Sequence, residues 1–351
     1  MQDKKKVIMI GCSPNSPGGI SSVIKTYEQN SLFDGSVRYI SSYYSSNKLL
    51  MIFRFCISFC QFIYNLVVFK PDIVHVHSAS RGSFWRKYIF LRVSCFFGIK
   101  TIFHLHSGEF INFYTNQSVA VKNRIRVFLE NVDLVIALTP YWKEKINYIS
   151  TEINVKVLFN PVDKQTQSAS RINNQLIFLG RLRKEKGIFE LLEACKILLQ
   201  AELQYNLILA GDGDLKIIED ECERLGISQN VSIVGWVEGK EKYKYLLSSD
   251  VFVLPSYFEG LPIGILEAMI NNVAVVATNV GGIPDIIDDG QDGVLVEPRD
   301  VNALVLALKK VLTNDSLKER LRVKASIKAN DSFNSKSIIS TLKSYYTQLQ
   351  G

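Results

Sequence analysis

Two glutamates, Glu259 and Glu267, have seven residues between them and follow the apolar run VFVLP. Glu259 stands beside Gly260 in a loop rich in glycine and proline, whereas Glu267 falls in a predicted helix that begins near Ile263. A carboxylate accepts two or more hydrogen bonds, so each suits a pair of sugar hydroxyls. Loops between a strand and a helix commonly bind anions and sugars in α/β proteins. We therefore predict a ligand site here; ordinary surface glutamates flanking a helix are the alternative.

Two cations, Arg181 and Lys186, follow another apolar run in the sequence QLIFLGRLRKEKG. At the carboxyl end of a strand, such a pair can hold a diphosphate and stabilise the charge that grows as a sugar–phosphate bond breaks. Arg183 and Lys184 are expected to be solvated. A plain basic loop is the alternative.

A glycine pair, Gly18 and Gly19, precedes a predicted helix in SPGGISSV. Such a turn can bring backbone N–H groups close to phosphate or acceptor oxygens. The segment lacks the GxGxxG pattern of dinucleotide sites, and a simple tight turn is the alternative.

The four histidines occur as two pairs at predicted strand ends, His75 with His77 and His104 with His106. Residues two apart on a strand share one face, and four imidazoles could bind zinc. No cysteine or acidic cluster accompanies them in the sequence. We therefore expect no metal site, and interior positions for His75, His77 and His104.

The segment from Val251 to Pro298 resembles the retaining, nucleotide-sugar-dependent glycosyltransferases of family 4, which have the GT-B fold. The resemblance depends on FEGLP, LEAM, the glycine pair Gly281–Gly282 and the sequence DGQDGVLVEP. It extends over about residues 7 to 345 and is strongest in the second half. It implies transfer of a hexosyl unit from a nucleotide-diphosphate sugar to a glycan acceptor, with no metal or further cofactor.

The resemblance also implies roles for individual residues. Catalytic roles fall to His106, Arg181, Lys186 and Glu259. The donor site would comprise Gly18, Gly19, Arg181, Lys186, Trp236, Val237, Glu259, Gly260, Leu261, Pro262, Ile263 and Glu267.

Within that site each group has an expected partner. Arg181 and Lys186 would bind the phosphates, and Glu267 the ribose hydroxyls. Glu259 would hold the sugar together with the backbone N–H groups of residues 260–263. His106 would hydrogen-bond the transferred hexose, and residues 236–237 would line the base pocket.

The elements that position these residues alternate between short β-rich runs and helical segments, which predicts parallel sheets with crossover helices. The fold class is α/β, with two Rossmann-like domains facing across a cleft. We expect domains at 1–162 and 163–334, with a polar linker starting the second. A last helix within 335–351 would cross back to the first domain.

The composition indicates a two-domain globular protein of 351 residues. Its six cysteines form no CxxC pair, and no secretory signal is recognised, which favours a cytoplasmic protein. Residues 1–160 hold 19 Lys and Arg against 9 Asp and Glu, a charge of +10, and the remainder carries −3. A basic half can serve nucleic acid, an anionic membrane or no partner at all. We expect a membrane surface and no nucleic acid.

Two segments of the first half bear on that membrane. Leu49–Phe69 is long and apolar, but Arg54, Ser58, Gln61 and Asn65 would form one polar stripe on a helix. We expect a helix packed on the first sheet, with an interfacial or spanning helix as alternatives. The segment Phe84–Arg92 interleaves bases with aromatics, a pattern that suits lipid headgroups; a solvated helix face over a core stripe is its alternative.

These features together predict a peripheral enzyme on the inner face of the cell membrane, acting on a polyprenyl-diphosphate-linked acceptor in surface polysaccharide assembly. A sugar-nucleotide epimerase of GT-B fold is one alternative. It would need additional catalytic acids, for which Glu109, Glu130 and Asp133 are candidates. A non-catalytic sugar-nucleotide-binding protein is the other alternative.

Overall fold

The computed structural model describes residues 5–33, 35–43, 48–167 and 169–349. The chain divides into two compact units. The first comprises residues 1–161 with 335–351, and the second comprises residues 162–334. The start of the first predicted strand, at Lys4, lies outside the described residues.

The first unit is built on a six-stranded parallel sheet with strand order β2-β1-β3-β4-β5-β6. Its strands are β1 (Val7–Gly11), β2 (Val37–Ser41), β3 (Ile73–Ser78), β4 (Lys100–Leu105), β5 (Leu134–Ala137) and β6 (Val155–Val157). The helices between them are α1 (Gly19–Gln29), α2 (Lys48–Val68), α3 (Gly82–Phe96), α4 (Phe110–Thr115), α5 (Val119–Glu130) and α6 (Pro140–Asn147). Every residue of β1, β3 and β5 is buried, as expected for strands covered on both faces.

The second unit repeats this plan with strand order β12-β11-β10-β7-β8-β9, again all parallel. Its strands are β7 (Gln175–Leu179), β8 (Asn206–Ala210), β9 (Val231–Gly235), β10 (Val251–Leu254), β11 (Ala274–Thr278) and β12 (Val294–Val296). Its helices are α7 (Ile188–Gln200), α8 (Leu215–Leu225), α9 (Gly239–Ser248), α10 (Ile263–Ile270), α11 (Val301–Leu312) and α12 (Asp315–Ser332). Short 3-10 turns lie at Lys184–Lys186 and Ser228–Asn230.

The last helix, α13 (Ser335–Gln348), belongs to the first unit. It presents Tyr346 to the sheet, where the hydroxyl lies 2.8 Å from Nδ1 of the buried His75. Tyr345 donates from its hydroxyl to the carbonyl oxygen of Val157 at 2.8 Å. These contacts attach the end of the chain to β3 and β6.

A buried ionic cluster fastens α12 to the start of β10 in the second unit. Asp250 accepts hydrogen bonds from Lys318 Nζ at 3.0 Å, from the Asn174 amide at 2.8 Å and from the Arg322 guanidinium. Burial acts to raise the pKa of Asp250, but the Asn174 amide, Lys318 and Arg322 outweigh it and hold the pKa below its ordinary value. The ionised carboxylate is therefore the stable form at this site.

Candidate functional site

The strand order of the second unit reverses direction between β7 and β10. In an open parallel sheet, ligands bind beyond the carboxyl ends of the strands at such a switch point. The loop after β7 carries Arg181 and Lys186, and the loop after β10 carries Glu259. The topology thus brings together two predicted groups that are 73 residues apart in sequence, Lys186 and Glu259.

Lys186 and Glu259 form a direct ion pair, with 2.6 Å between Nζ and Oε1. The Ser256 hydroxyl donates to the same carboxylate oxygen at 2.7 Å. Glu259 is buried and Lys186 half-buried. Oε1 of Glu259 is therefore held by a cation and a hydroxyl beyond the carboxyl ends of the strands.

The two loops are locked against each other by close backbone packing. Gly187 has φ of 70°, and a Cβ there would lie 2.0 Å from the carbonyl oxygen of Pro255, so only glycine fits. The Tyr257 amide donates to the Glu185 carbonyl at 3.0 Å, and its hydroxyl donates to Glu190 at 2.5 Å. Lys186 therefore stands on a rigid turn.

Arg181 is close to Lys186 in sequence, but its side chain is more exposed. Its Nε is 3.7 Å from Oδ1 of Asp212, and both side chains are exposed. Gly211, next to Asp212, packs against Gly180, where a Cβ would lie 1.6 Å from the Gly180 carbonyl oxygen. The loops after β7 and β8 are thus also in direct contact, which holds Arg181 near the end of β7.

Glu267 lies in α10, as the sequence predicts, and is buried. Its Oε1 accepts hydrogen bonds from Lys242 Nζ at 2.5 Å and from the Tyr243 hydroxyl at 3.0 Å. Burial and the Glu267 charge raise the pKa of Tyr243, so it remains a donor. Sequence reasoning missed both α9 partners, because nothing in GKEKYKYLLS distinguishes one lysine or tyrosine from its neighbours.

The remaining predicted donor residues lie on two loops. Trp236 and Val237 follow β9; the indole is exposed and donates to Glu238 Oε1 at 2.9 Å, whereas Val237 is buried. Residues 260–262 connect Glu259 to α10, which starts at Ile263 with no side-chain cap on its first turn. The N-terminal end of a helix carries partial positive charge, so this loop and helix start suit oxygen-rich ligands.

In the first unit, the predicted residues lie at the carboxyl edge of its sheet. Gly18, with φ of 136°, precedes α1, whose first turn has no side-chain cap, and Gly19 begins that helix. His106 follows β4 directly, and its Nε2 is 2.9 Å from Nδ1 of His77. Desolvation lowers the pKa of His106 to about 3, despite an opposing hydrogen bond with Asn160, so its imidazole is neutral at pH 7.

The interior positions expected for His75, His77 and His104 are confirmed, since all three are buried. Their nearest ligand nitrogens lie within 4.8 Å of one another, so within the described part of the chain these three residues form a group that could hold a metal ion. The His75 and His104 rings are stacked at 15°, and those of His75 and His77 at 28°. Burial lowers the pKa of all three rings, so the cluster is a stack of neutral imidazoles.

The prediction that Phe84–Arg92 presents a basic and aromatic surface is wrong. Phe84, Lys87 and Phe90 are fully buried, and Lys87 Nζ donates to the Ser42 hydroxyl at 2.6 Å. Burial, together with the charge of Arg86, lowers the pKa of Lys87 to about 7. The helix period places this lysine in the core stripe of α3, and the alternative of a helix face over a core stripe holds instead.

The three candidate acids of an epimerase all have other partners in the first unit, and Glu109 lies 3.8 Å from the Arg81 guanidinium. Asp133 accepts hydrogen bonds from the Thr101 amide and hydroxyl, each at 2.9 Å, and pairs with Lys100. Glu130 pairs with Arg126 at 2.8 Å on α5. Both acids have structural partners, which disfavours the epimerase alternative.

Comparison with known protein families identifies both halves of the chain. Residues 22–166 match the model of Glycosyltransferase Family 4, and residues 162–328 match that of Glycosyl transferases group 1. The two matches meet at the boundary between the two structural units.

Relatives with similar sequences include proteins of polysaccharide gene regions. An uncharacterised 41.2 kDa protein in the cps region of Klebsiella pneumoniae is 27% identical, covering 93% of this chain and 97% of the relative. The Escherichia coli UDP-Gal:alpha-D-GlcNAc-diphosphoundecaprenol alpha-1,3-galactosyltransferase is 26% identical, covering 80% of this chain and 76% of that enzyme. The Staphylococcus aureus capsular polysaccharide biosynthesis glycosyltransferase CapM is 27% identical over 53% of this chain and 49% of its own length.

Solved structures share the fold over nearly the whole chain. Sucrose-phosphate synthase from Thermosynechococcus elongatus superposes with a TM-score of 0.81 at 17% identity, covering 98% of this chain and 99% of that one. Anabaena HepE in complex with UDP-glucose gives 0.77 at 17% identity, covering 98% and 100%. The paired family matches and the two six-stranded parallel sheets agree: this chain is a glycosyltransferase of family 4, the group 1 glycosyltransferases, with the GT-B fold.

Proposed function

We propose that this protein is a retaining hexosyltransferase that uses a nucleotide-diphosphate sugar and a polyprenyl-diphosphate-linked glycan acceptor in surface polysaccharide assembly. The observation that carries the proposal is the Lys186–Glu259 ion pair at the switch point of the second sheet. It places a cation for phosphate and an acceptor for sugar hydroxyls within one hydrogen bond of each other.

Lys186 and Glu259 form a preorganised donor site. Before the donor binds, each neutralises the charge of the other. A diphosphate offers Lys186 a stronger anionic partner, and Glu259 is then released toward the sugar hydroxyls. Ser256 holds Glu259 during this exchange, since its hydroxyl donates to the same oxygen at 2.7 Å. Arg181 adds a second cation from the same loop.

The proposed reaction breaks the bond between the sugar C1 and the diphosphate oxygen, and the electron pair leaves with the diphosphate. The acceptor oxygen forms its bond to C1 from the same face, and its proton passes to the departing phosphate oxygen. The protein then needs no separate base. Its main contribution is electrostatic: Arg181 and Lys186 stabilise the diphosphate charge as it develops.

The donor's other contacts follow from the same frame. Glu267 would accept hydrogen bonds from the ribose hydroxyls through Oε2, because Lys242 and Tyr243 already donate to Oε1. His106, neutral at pH 7, would exchange a hydrogen bond with the transferred hexose. Trp236 and Val237 would border the base.

The acceptor and the place of action are proposed from the relatives and the charge distribution. The Escherichia coli relative is by its name a galactosyltransferase for a diphosphoundecaprenol-linked acceptor. The first 160 residues carry a charge of +10, which favours an anionic bilayer surface. We infer a peripheral position on the cytoplasmic face of the cell membrane.

The test is a thermal-shift panel of UDP-, GDP- and ADP-sugars, because a ligand bound to the native state raises its melting temperature. One nucleotide class should stabilise the parent and the Lys184→Ala control but not Lys186→Ala. Lys184 is the matched control, as it is an exposed lysine in the same turn. No shift with any sugar nucleotide, or equal shifts in all three proteins, would contradict the proposal.

A further inference from the structure

Helix α2 exposes an apolar face along its whole length. Leu49, Ile52, Phe53 and Val67 are exposed by 81%, 62%, 61% and 65%. These residues are three, one and fourteen positions apart, and fourteen residues are close to four turns of a helix, so all four share one side of α2. Large apolar residues arranged in this way on one helix indicate an interaction surface.

Half of the polar stripe of α2 faces the protein, whereas Arg54 and Gln61 are exposed. Ser58 and Asn65 are buried, and Arg38 of β2 donates to Asn65 Oδ1 at 2.7 Å. Phe62 packs edge-on against Phe90 of α3, with ring centroids 5.1 Å apart. The predicted polar stripe therefore exists, but half of it fastens the helix to the domain and the outer face is apolar.

The segment is long and apolar enough to cross a bilayer, with a mean hydropathy of 1.7 over Leu49–Val68. The position of α2 in the first unit rules out a membrane-spanning helix. The helix is the crossover between β2 and β3, which both run parallel to β1, so it must lie alongside the sheet. A helix held in this way can contact a membrane only by lying in the membrane plane.

The formal charges on α2 and α3 are of one sign. Neither helix contains an acidic residue, the exposed cations among their described side chains are Arg54 and Arg92, and the exposed Lys70 follows α2. A second copy docked on the same face would bring like charges together, whereas an anionic lipid surface is complementary. At the end of α3, Phe96 is 86% exposed, adding an apolar group on the neighbouring helix.

We propose that α2 is an in-plane membrane helix, whose apolar face enters the headgroup–acyl boundary of an anionic bilayer while its polar side holds the domain. The membrane contact is thus assigned to residues 49–68, not to Phe84–Arg92. Membrane binding by α2 extends the proposed function, and its biological role rests on that function. Helix α2 begins at the carboxyl edge of the first sheet, where Gly18 and His106 also lie, so a lipid-linked acceptor would meet the protein at that edge.

The test is co-sedimentation with vesicles of phosphatidylglycerol or of phosphatidylcholine at low and high salt. The change is Ile52→Glu with Phe53→Glu, and the matched control is Leu306→Glu with Ile327→Glu, which are 68% and 58% exposed on the second unit. The parent and control should bind phosphatidylglycerol vesicles, and the α2 variant should bind at least about tenfold more weakly. Salt should weaken but not abolish parental binding, because apolar insertion is not screened.

A second readout uses Cys56 and Cys60, which are exposed on α2. An environment-sensitive thiol label there should shift to the blue with phosphatidylglycerol vesicles, and the α2 substitutions should remove the shift. Cys12 and Cys95 are replaced by serine beforehand, so that the label reports on α2.

Three outcomes would overturn the proposal. These are a parent protein without affinity for either lipid, an α2 variant that binds as well as the parent, and a parental dimer that the α2 substitutions dissociate, which would assign the face to a second copy. Donor binding, measured by thermal shift on the same proteins, separates this from the proposed function. The α2 variant should keep its donor shift, whereas loss of the shift in the parent itself would refute the donor assignment alone.

Discussion

Replacing Lys186 by alanine tests the donor site at its centre. Lys186 Nζ is 2.6 Å from Glu259, and at that distance the gross attraction is about 6 kcal/mol for an effective dielectric constant near 20. Desolvation of the two groups offsets most of this in the resting protein. Removing the ammonium leaves Glu259 as an uncompensated negative charge beside the position of the donor phosphates.

The expected effect on catalysis is larger than the effect on stability. Loss of one donor that stabilises a developing oxyanion costs roughly 3–4 kcal/mol, so kcat should fall by about two to three orders of magnitude. Because Lys186 binds the diphosphate in the ground state and binds it more strongly as its charge grows, kcat should fall and kcat/KM should fall further. Lys186→Arg keeps the charge and should retain more activity than Lys186→Ala.

The assay is the initial rate of nucleoside diphosphate release with acceptor present, at several donor concentrations. Lys184→Ala serves as the control and should stay within about twofold of the parent, since surface substitutions in exposed turns are nearly neutral. Circular dichroism must show the same fold for the parent and all three variants. A Lys186→Ala enzyme that turns over within a few-fold of the parent would refute the assignment of Lys186 to the diphosphate.

Four further results are expected. Glu267→Ala should weaken binding of the free nucleoside diphosphate, whereas Glu259→Ala should chiefly weaken binding of the intact donor, each by roughly 1–3 kcal/mol in calorimetry; equal losses for both ligands would remove the division of roles. Activity should survive excess chelator, and loss restored by zinc would instead make the histidine stack a metal site. Burial lowers the pKa of His104 well below 6.5, so the unfolded chain takes up the proton first, and His104 should contribute a fall in stability of about 1.4 kcal/mol for each pH unit below 6.5; His104→Leu should reduce the slope of stability against pH in denaturant titrations, and an unchanged slope would contradict it. Asp250→Asn should lower the free energy of unfolding by roughly 3–5 kcal/mol, because it removes the one buried carboxylate that pairs with Lys318 and Arg322 and leaves them only the exposed Asp315 and Glu319; a neutral effect would show that the buried ion pairs are unimportant.

The sequence was sufficient for the strands that are buried on both faces. Runs such as VIMIG and VFVLP are continuous and apolar, and they form interior strands of the two sheets. The edge strands β2 and β6 were not predicted, because VRYIS mixes exposed and buried positions and VKV is only three residues long. Such short strands form where a neighbouring strand pairs with them.

In the candidate site, the residues could be predicted from the sequence, but the contacts between them could not. Arg181, Lys186 and Glu259 could be identified because each follows an apolar strand in a glycine-containing loop. Their mutual geometry could not, since the 2.6 Å contact depends on the strand order that places β7 beside β10.

The membrane-facing segments show what composition cannot decide. The bases and aromatics at Phe84–Arg92 have the content of a lipid-binding surface, but the helix period puts Lys87 into the core. In α2, a polar stripe would ordinarily mark the solvent side, yet here Asn65 binds Arg38 and turns the apolar side outward. Which face of a helix is covered depends on the neighbouring strand and helix, and those lie elsewhere in the sequence.

The most direct test of the central claim is the stereochemistry of the product. The enzyme would be incubated with the sugar nucleotide selected by the thermal-shift panel and a polyprenyl-diphosphate-linked acceptor, and the new linkage examined by NMR. The account predicts release of one nucleoside diphosphate per sugar transferred, and a glycosidic bond with the anomeric configuration of the donor. A product of inverted configuration would contradict the proposed front-face reaction, and absence of transfer from every sugar nucleotide would contradict the function itself.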